Sequence, residues 1–301
     1  MPELPDITVY IERLEKLVLQ QTLGKITVIN PFFVRTFDPP VQTITNQTIE
    51  TIKRLGKRIV FRFGNGYYAV IHLMISGRLQ WRRPDGKINR KLDLALFDFP
   101  EGRLVVTEVA SKKRASLHIF KNEEGLSSID PGGQELTQIS LGEFKKSITK
   151  ENHTLKRTLT DPRILSGIGN AYSDEILHAA KLSPILQTQK MNDEEIERLF
   201  NTIPIILDKW TEKLRNEAGD NLPKKVTAFH DDMAAHGKFG KPCPLCGTTI
   251  QRIRYASNET NYCPACQTNG KLLADRSLSR LLKRDWPKTA EELDEIFSAK
   301  K

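Results

Sequence analysis

The sequence predicts an α+β protein: an N-terminal antiparallel β-sandwich with a flanking helix, then a helical domain, then a four-cysteine zinc ribbon. Three observations predict it. Short β-branched runs alternate with turn residues from Lys25 to His118, helical spacing of apolar residues returns from Leu141 to about Leu214, and all four cysteines fall in two CxxC pairs near the C-terminus. The chain of 301 residues exceeds the usual single-domain size. The expected division is a β-sandwich domain over 1–120, a linker over 121–137, a helical domain over 138–235, the ribbon over 236–267 and a helical extension over 268–301.

The elements follow in order. Ile7, Tyr10, Ile11, Leu14, Leu17 and Val18 recur at helical spacing, and Asp6 is placed to cap the first turn. Ile26 to Ile29 reads as a strand. Arg58 to Phe63, a Gly64-Asn65-Gly66 turn and Tyr67 to Leu73 read as a β-hairpin, and Leu92 to Phe99, Pro100-Glu101-Gly102 and Leu104 to Val109 read as a second. Residues 121–137 are polar and rich in turn formers, which marks the linker. Within the helical region a tight turn at Gly167-Ile168-Gly169-Asn170 precedes an apolar helix through Leu182. The tail carries Leu272, Leu273, Leu278, Leu281, Leu282 and Trp286 among Arg and Lys, the pattern of an amphipathic helix.

Composition narrows the function. Forty-six Lys and Arg against 37 Asp and Glu give a net charge of +9, which favours a polyanionic partner or an acidic membrane surface. The N-terminus has no basic region followed by an apolar stretch, and no segment approaches a membrane span, so neither a secretory signal nor a membrane anchor is expected. With no cysteine before Cys243, a disulfide scaffold is not expected and a reducing compartment is. Cys243-Pro-Leu-Cys246 and Cys263-Pro-Ala-Cys266, separated by residues 247–262, have the spacing of one structural Zn²⁺ site. Four thiolates leave the metal no open position, so it holds a small hairpin together and does no chemistry. Between the knuckles, Arg252, Arg254, Asn258 and Thr260 suit a polar hairpin presented to phosphates.

Met1-Pro2-Glu3-Leu4-Pro5, Leu55-Gly56-Lys57-Arg58, Gly167-Ile168-Gly169-Asn170 and the terminal ribbon, in this order over roughly residues 1–268, together resemble the formamidopyrimidine-DNA glycosylase/endonuclease VIII family. The resemblance implies that the helical region is a helix-two-turn-helix domain. It implies a base-excision repair enzyme acting on double-stranded DNA with a damaged, oxidised base or an abasic site. Base removal by N-glycosylase action is then linked to strand cleavage as an apurinic-site lyase, through a Schiff base on Pro2 after loss of Met1. A monomer is implied, in the bacterial cytoplasm (nucleoid) or another reducing compartment holding DNA. Lys57 then binds the phosphate beside the lesion and supports catalysis, while His72, Lys156 and Asn170 lie on the DNA backbone.

The chemistry asks for what these residues offer. An α-amine has a reference pKa of about 8, far below that of lysine, so a useful fraction is nucleophilic at neutral pH. Glu3, held beside it by chain connectivity, is the natural proton shuttle for sugar opening. Lys57 is expected to enter on a strand. The sequence departs from the family at three places: Asn258 stands where the family's hairpin arginine clamps phosphates, Ile75 stands where a methionine fills the vacated stack, and Lys112-Lys113-Arg114-Ala115 stands where an Arg-Phe pair props the opposite base. Lys112 keeps a charge there while the aromatic surface is lost. These departures leave a second expectation, a non-catalytic zinc-ribbon protein that senses damaged or bent DNA.

Overall fold

The computed structural model describes residues 1–224, 230–255, 258–274, 287–289 and 292. Its elements run α1 (Leu4–Val18), β1 (Thr22–Leu23), β2 (Lys25–Val28), β3 (Gln47–Leu55), β4 (Arg58–Phe63), β5 (Tyr68–His72), β6 (Gly77–Arg82), β7 (Asp93–Phe99), β8 (Gly102–Glu108), β9 (Ser116–Phe120), α2 (Glu123–Ser127), α3 (Leu141–Thr149), α4 (Leu155–Thr160), α5 (Asn170–Ala179), α6 (Asp193–Ala218), β10 (Gln251–Tyr255), β11 (Asn258–Tyr262) and α7 (Pro264–Thr268). They fall into two compact units, 1–133 with 208–227 and 134–207 with 228–301.

The first unit is built on two antiparallel sheets, ordered β1-β3-β4-β5-β9 and β2-β7-β8-β6. Period-two alternation sends Ile59 and Phe61 of β4, Ala69 and Ile71 of β5, and Leu117 and Ile119 of β9 into one core, which they share with Leu94, Phe97, Leu104 and Val106 of the other sheet. Ile7, Tyr10, Leu14 and Val18 of α1 bury into the same core at helical spacing. The expected cap is corrected: α1 begins at Leu4 with Glu3 as its N-cap, and Asp6, in the first turn, reaches back so that its Oδ2 accepts the Glu3 backbone N–H at 2.9 Å.

Three boundaries also differ from expectation. Residues 208–227, expected in the helical domain, cluster with the first unit, because Leu222 enters the sandwich core, the Tyr10 hydroxyl donates to the Pro223 carbonyl at 2.9 Å, and Arg215 grips Glu12 through both carboxylate oxygens. Within the expected linker, α2 forms and Gly125 lies so close to the Phe120 ring that a Cβ there would stand 2.7 Å from it. The ribbon does not stop at 267: Leu273 packs with Ile253 and Tyr262, and its N–H donates to the Tyr262 hydroxyl at 2.7 Å. The expected tail helix, with Leu278, Leu281, Leu282 and Trp286, lies outside the described residues.

In the second unit, α3 is closed by a reciprocal cap between Ser140 and Glu143, and Phe144 packs on Phe200 of α6 with ring centroids 5.2 Å apart. β10 and β11 pair in register from Gln251 with Tyr262 to Tyr255 with Asn258, forming the ribbon hairpin. Among the described residues, no helix is long and apolar enough to cross a membrane.

Candidate active site and nucleic-acid interface

Pro2 and Glu3 are both buried at the entry to α1, Glu3 with 3% of its surface exposed. The N-cap geometry fixes their direction, since Asp6 holds the Glu3 amide. The chain-terminal amine, carried here by Met1, is held below its ordinary value, first by burial; Arg78 and Lys57 add to the lowering, while Glu3 and Asp6 oppose it. Pro2 and Glu3 adjoin that amine along the chain, and Lys57 acts on it electrostatically. Lys57 stands in a two-residue turn with Gly56 between β3 and β4, and not on the strand where it was expected. Gly56, at φ +59, takes the left-handed conformation that this turn requires.

His72 ends β5, opposite Arg58 on β4 and Ser116 on β9. Burial, then Arg58, Lys57 and His118, push its imidazole down to about 4, so it is neutral at pH 7. Its strand partner Arg58 directly follows Lys57, so it lies at the end of the sheet where the Lys57 turn stands. Immediately after it the chain makes a tight loop in which the Gly77 N–H donates to the Leu73 carbonyl at 2.9 Å. A Cβ on Gly77 would lie 2.3 Å from that carbonyl oxygen, so only glycine closes the loop. Ile75 stands at its apex, 55% exposed.

The loop is tied to a second one by a residue that the sequence reading missed. Glu108, 1% exposed, accepts the Ser76 hydroxyl at 3.0 Å through one carboxylate oxygen and the Arg114 and Ala115 N–H groups at 2.8 and 3.0 Å through the other. Lys113 donates to the Glu108 carbonyl, and Lys112 is exposed on the same loop. In the same unit, Asp220, Leu222 and Lys224 join Arg78, Leu79 and Trp81 around a cavity of about 320 Å³. Residues 225–229, which follow Lys224, lie outside the described residues.

The second unit assembles the other predicted contacts. Lys156, Asn170 and Asn258 line one cleft of about 560 Å³, together with Arg157, Thr260 and Ile253. The Lys156 ammonium donates to the Asn170 carbonyl at 2.7 Å and to Asp174, and the Asn170 side-chain amide donates to the Glu259 carbonyl at 3.0 Å. Asp174, fully buried, also takes the His236 Nδ1 at 2.7 Å and the Asn261 N–H at 3.2 Å. Next to it, Glu175 accepts three backbone N–H groups from Ala234, Ala235 and His236 at 2.8–2.9 Å. Nothing in the local sequence distinguishes this acidic pair from an ordinary helix surface, so sequence reasoning missed both residues. Asn258 is exposed at the start of β11 and Arg254 is exposed on β10. Arg252 is not brought to the cleft lining: it pairs with Glu259 at 3.1 Å and lies over the Phe239 ring at 4.1 Å.

The four cysteine sulfurs lie within 4.8 Å of one another, with separations of 3.4 Å from Cys246 to Cys263 and to Cys266 and 3.9 Å from Cys243 to Cys266. A tetrahedron with Zn–S bonds of about 2.3 Å has edges of about 3.8 Å, so the cluster fits one structural zinc. Cys243, Cys246, Cys263 and Cys266 would hold it.

The N-terminal domain profile of formamidopyrimidine-DNA glycosylase matches residues 1–114, its H2TH domain profile residues 131–217, and the zinc finger found in FPG and IleRS residues 240–269. A formamidopyrimidine-DNA glycosylase of Ligilactobacillus salivarius (strain UCC118) is 32% identical over 279 residues, covering 89% of this chain and 99% of that one. The chain belongs to the formamidopyrimidine-DNA glycosylase family. Solved family structures agree with its architecture. Lactococcus lactis Fpg in complex with abasic-site DNA superposes with a TM-score of 0.79 at 27% identity, covering 88% of this chain and 99% of that one. MutM bound to DNA containing carbocyclic 8-oxo-G gives 0.78 at 26% identity, covering 89% and 100%. On the ribbon hairpin, Asn258 opens β11 and Arg252 of β10 is engaged by Glu259 and Phe239.

Proposed function

We propose that this protein is a bifunctional DNA glycosylase of base-excision repair, removing oxidised bases and then cutting the strand as an apurinic-site lyase with Pro2 as nucleophile. The observation that carries the reading is the buried start of the chain, where Pro2 and Glu3 enter α1 and Lys57 and Arg78 act on the terminal amine. With Met1 removed, the nearby cations and the burial favour the neutral amine of Pro2. Its lone pair attacks C1′ of the damaged nucleotide, and the base departs with the electrons of the glycosidic bond. Glu3 takes the proton released from the Pro2 nitrogen and delivers it to O4′ as the sugar opens, leaving an iminium between Pro2 and C1′. The iminium acidifies the C2′ proton, whose removal expels the 3′ phosphate.

The remaining site residues act on the duplex. Lys57 and the neutral His72 meet the phosphate beside the lesion, Lys156 and Asn170 meet the backbone at the second cleft, and Ile75 fills the space left by the everted base. Lys112 adds charge to the strand opposite. Asn258 and Arg254 lie on the ribbon hairpin as further polar contacts, whereas Arg252 acts by bracing that hairpin. The protein works as a monomer, in a reducing compartment that contains DNA.

Borohydride trapping tests the reading. Met1-free protein on abasic duplex DNA is expected to form a covalent adduct whose attachment maps to the Pro2 nitrogen by mass spectrometry. A wild-type protein that binds the duplex yet yields no adduct overturns the catalytic role and leaves the non-catalytic sensor, a reading favoured by the engaged state of Arg252. A panel of oxidised purine and oxidised pyrimidine duplexes then assigns the base.

A further inference from the structure

We propose that His178 is an outer-sphere residue of the zinc site, donating its Nε2 proton to the Cys243 thiolate from the helix that also carries Asn170. The inference rests on the site geometry and not on the identity of the excised base. The imidazole is 2% exposed and its Nε2 lies 3.2 Å from the Cys243 sulfur, itself 3% exposed. Zinc with four thiolates bears a net charge of −2, and its buried members, Cys243 and Cys263, demand donors. A metal-bound thiolate can only accept, which fixes the imidazole tautomer with its proton on Nε2. The backbone supplies a donor to another sulfur, the Cys266 N–H to Cys263 at 3.5 Å, and the side chain of His178 supplies one to Cys243.

The position of His178 on α5 gives the contact a wider meaning. Asn170, Asp174 and His178 are spaced i, i+4, i+8, so they share one face of the helix. Each makes a hydrogen bond to the ribbon: Asn170 to the Glu259 carbonyl, Asp174 to the Asn261 N–H, and His178 to Cys243. Gln267, one residue past the last cysteine, donates from its side-chain amide to the Leu182 carbonyl at 2.9 Å and closes the row just beyond the helix. The metal centre is thus joined through one helix face to the turn that begins at Gly167.

The test uses full-length protein loaded with ¹¹³Cd and labelled with ¹⁵N-histidine. A proton–cadmium correlation through the hydrogen bond is expected to one imidazole Nε2–H, and to vanish in His178→Leu. Release of zinc to a chelator is expected to be about tenfold faster in His178→Leu, in keeping with the usual effect of removing an outer-shell donor, and within about threefold of wild type in His178→Gln, which retains a donor. No correlation to any imidazole proton overturns the proposal, as does a direct one-bond Cd–N coupling, which would make the histidine a ligand. Equal release from the Leu and Gln variants overturns it too, since the side chain would then act only by filling space. Where His178→Leu does not fold, the wild-type correlation decides alone.

Discussion

His72 sits between Arg58 and Ser116 at the end of β5, and its depressed imidazole makes a prediction about stability. The unfolded chain takes up a proton near 6.5, whereas the folded one declines it until about 4. The contribution of neutral His72 is therefore complete above pH 6.5, declines as the pH falls towards 4, and changes no further below that. The loss amounts to at most about 3 kcal/mol. Urea midpoints measured at pH 7 and pH 4.5 should show a fall that His72→Asn reduces. Glu108→Gln should destabilise the first unit by about 2 kcal/mol, because an amide nitrogen replaces one of the oxygens that accept from Ser76, Arg114 and Ala115. Denaturant unfolding checks this, and proteolysis should open the 109–115 loop first. Residues of this kind were illegible in the sequence. Glu108 ends a β-branched run and resembles any strand residue, and its Ser76 partner lies 32 positions away. Pro2, Glu3 and Lys57 could be named from the sequence only through a family resemblance, since a dipeptide and a lone lysine carry no pattern of their own.

Secondary-structure elements were more legible, for a physical reason. The hairpin of β4 and β5 and that of β7 and β8 declare themselves by period-two alternation around a short turn, and both steps are local in the chain. The start of α1 was misread because its capping is reciprocal: the acidic residue in the first turn holds the N-cap amide, so the carboxylate visible in the sequence lies three residues inside the cap. Membership of 208–227 in the first unit was invisible for the opposite reason, resting as it does on contacts with α1 some two hundred residues earlier. α5 yields its own prediction. Asp174→Asn leaves Lys156 and His236 without their carboxylate and weakens the bond to Asn261, so the hairpin of β10 and β11 should lose protection. Hydrogen exchange should rise in peptides spanning 251–262, with a stability loss of about 3 kcal/mol for breaking a buried pair.

For the molecule as a whole, charge and metal set the expectations. A net charge of +9 predicts DNA affinity that falls steeply with salt, with a logarithmic slope of about −0.9 for each phosphate neutralised. Lys57→Ala and Lys156→Ala should each flatten that slope by about one unit, as read by anisotropy across a salt series. Removing zinc should unfold the ribbon, whose apolar core around the metal, among the described residues, is Ile250 with the cysteines themselves, and should abolish DNA binding while the β-sheet circular dichroism persists. The return of residues 208–227 to α1 has a further consequence for biosynthesis. A ribosome has emitted every strand of both sheets by Phe120, yet Leu222 and the Pro223 carbonyl that close the core around Tyr10 arrive a hundred residues later. The nascent sandwich must wait, incompletely sealed, until translation has passed the end of α6.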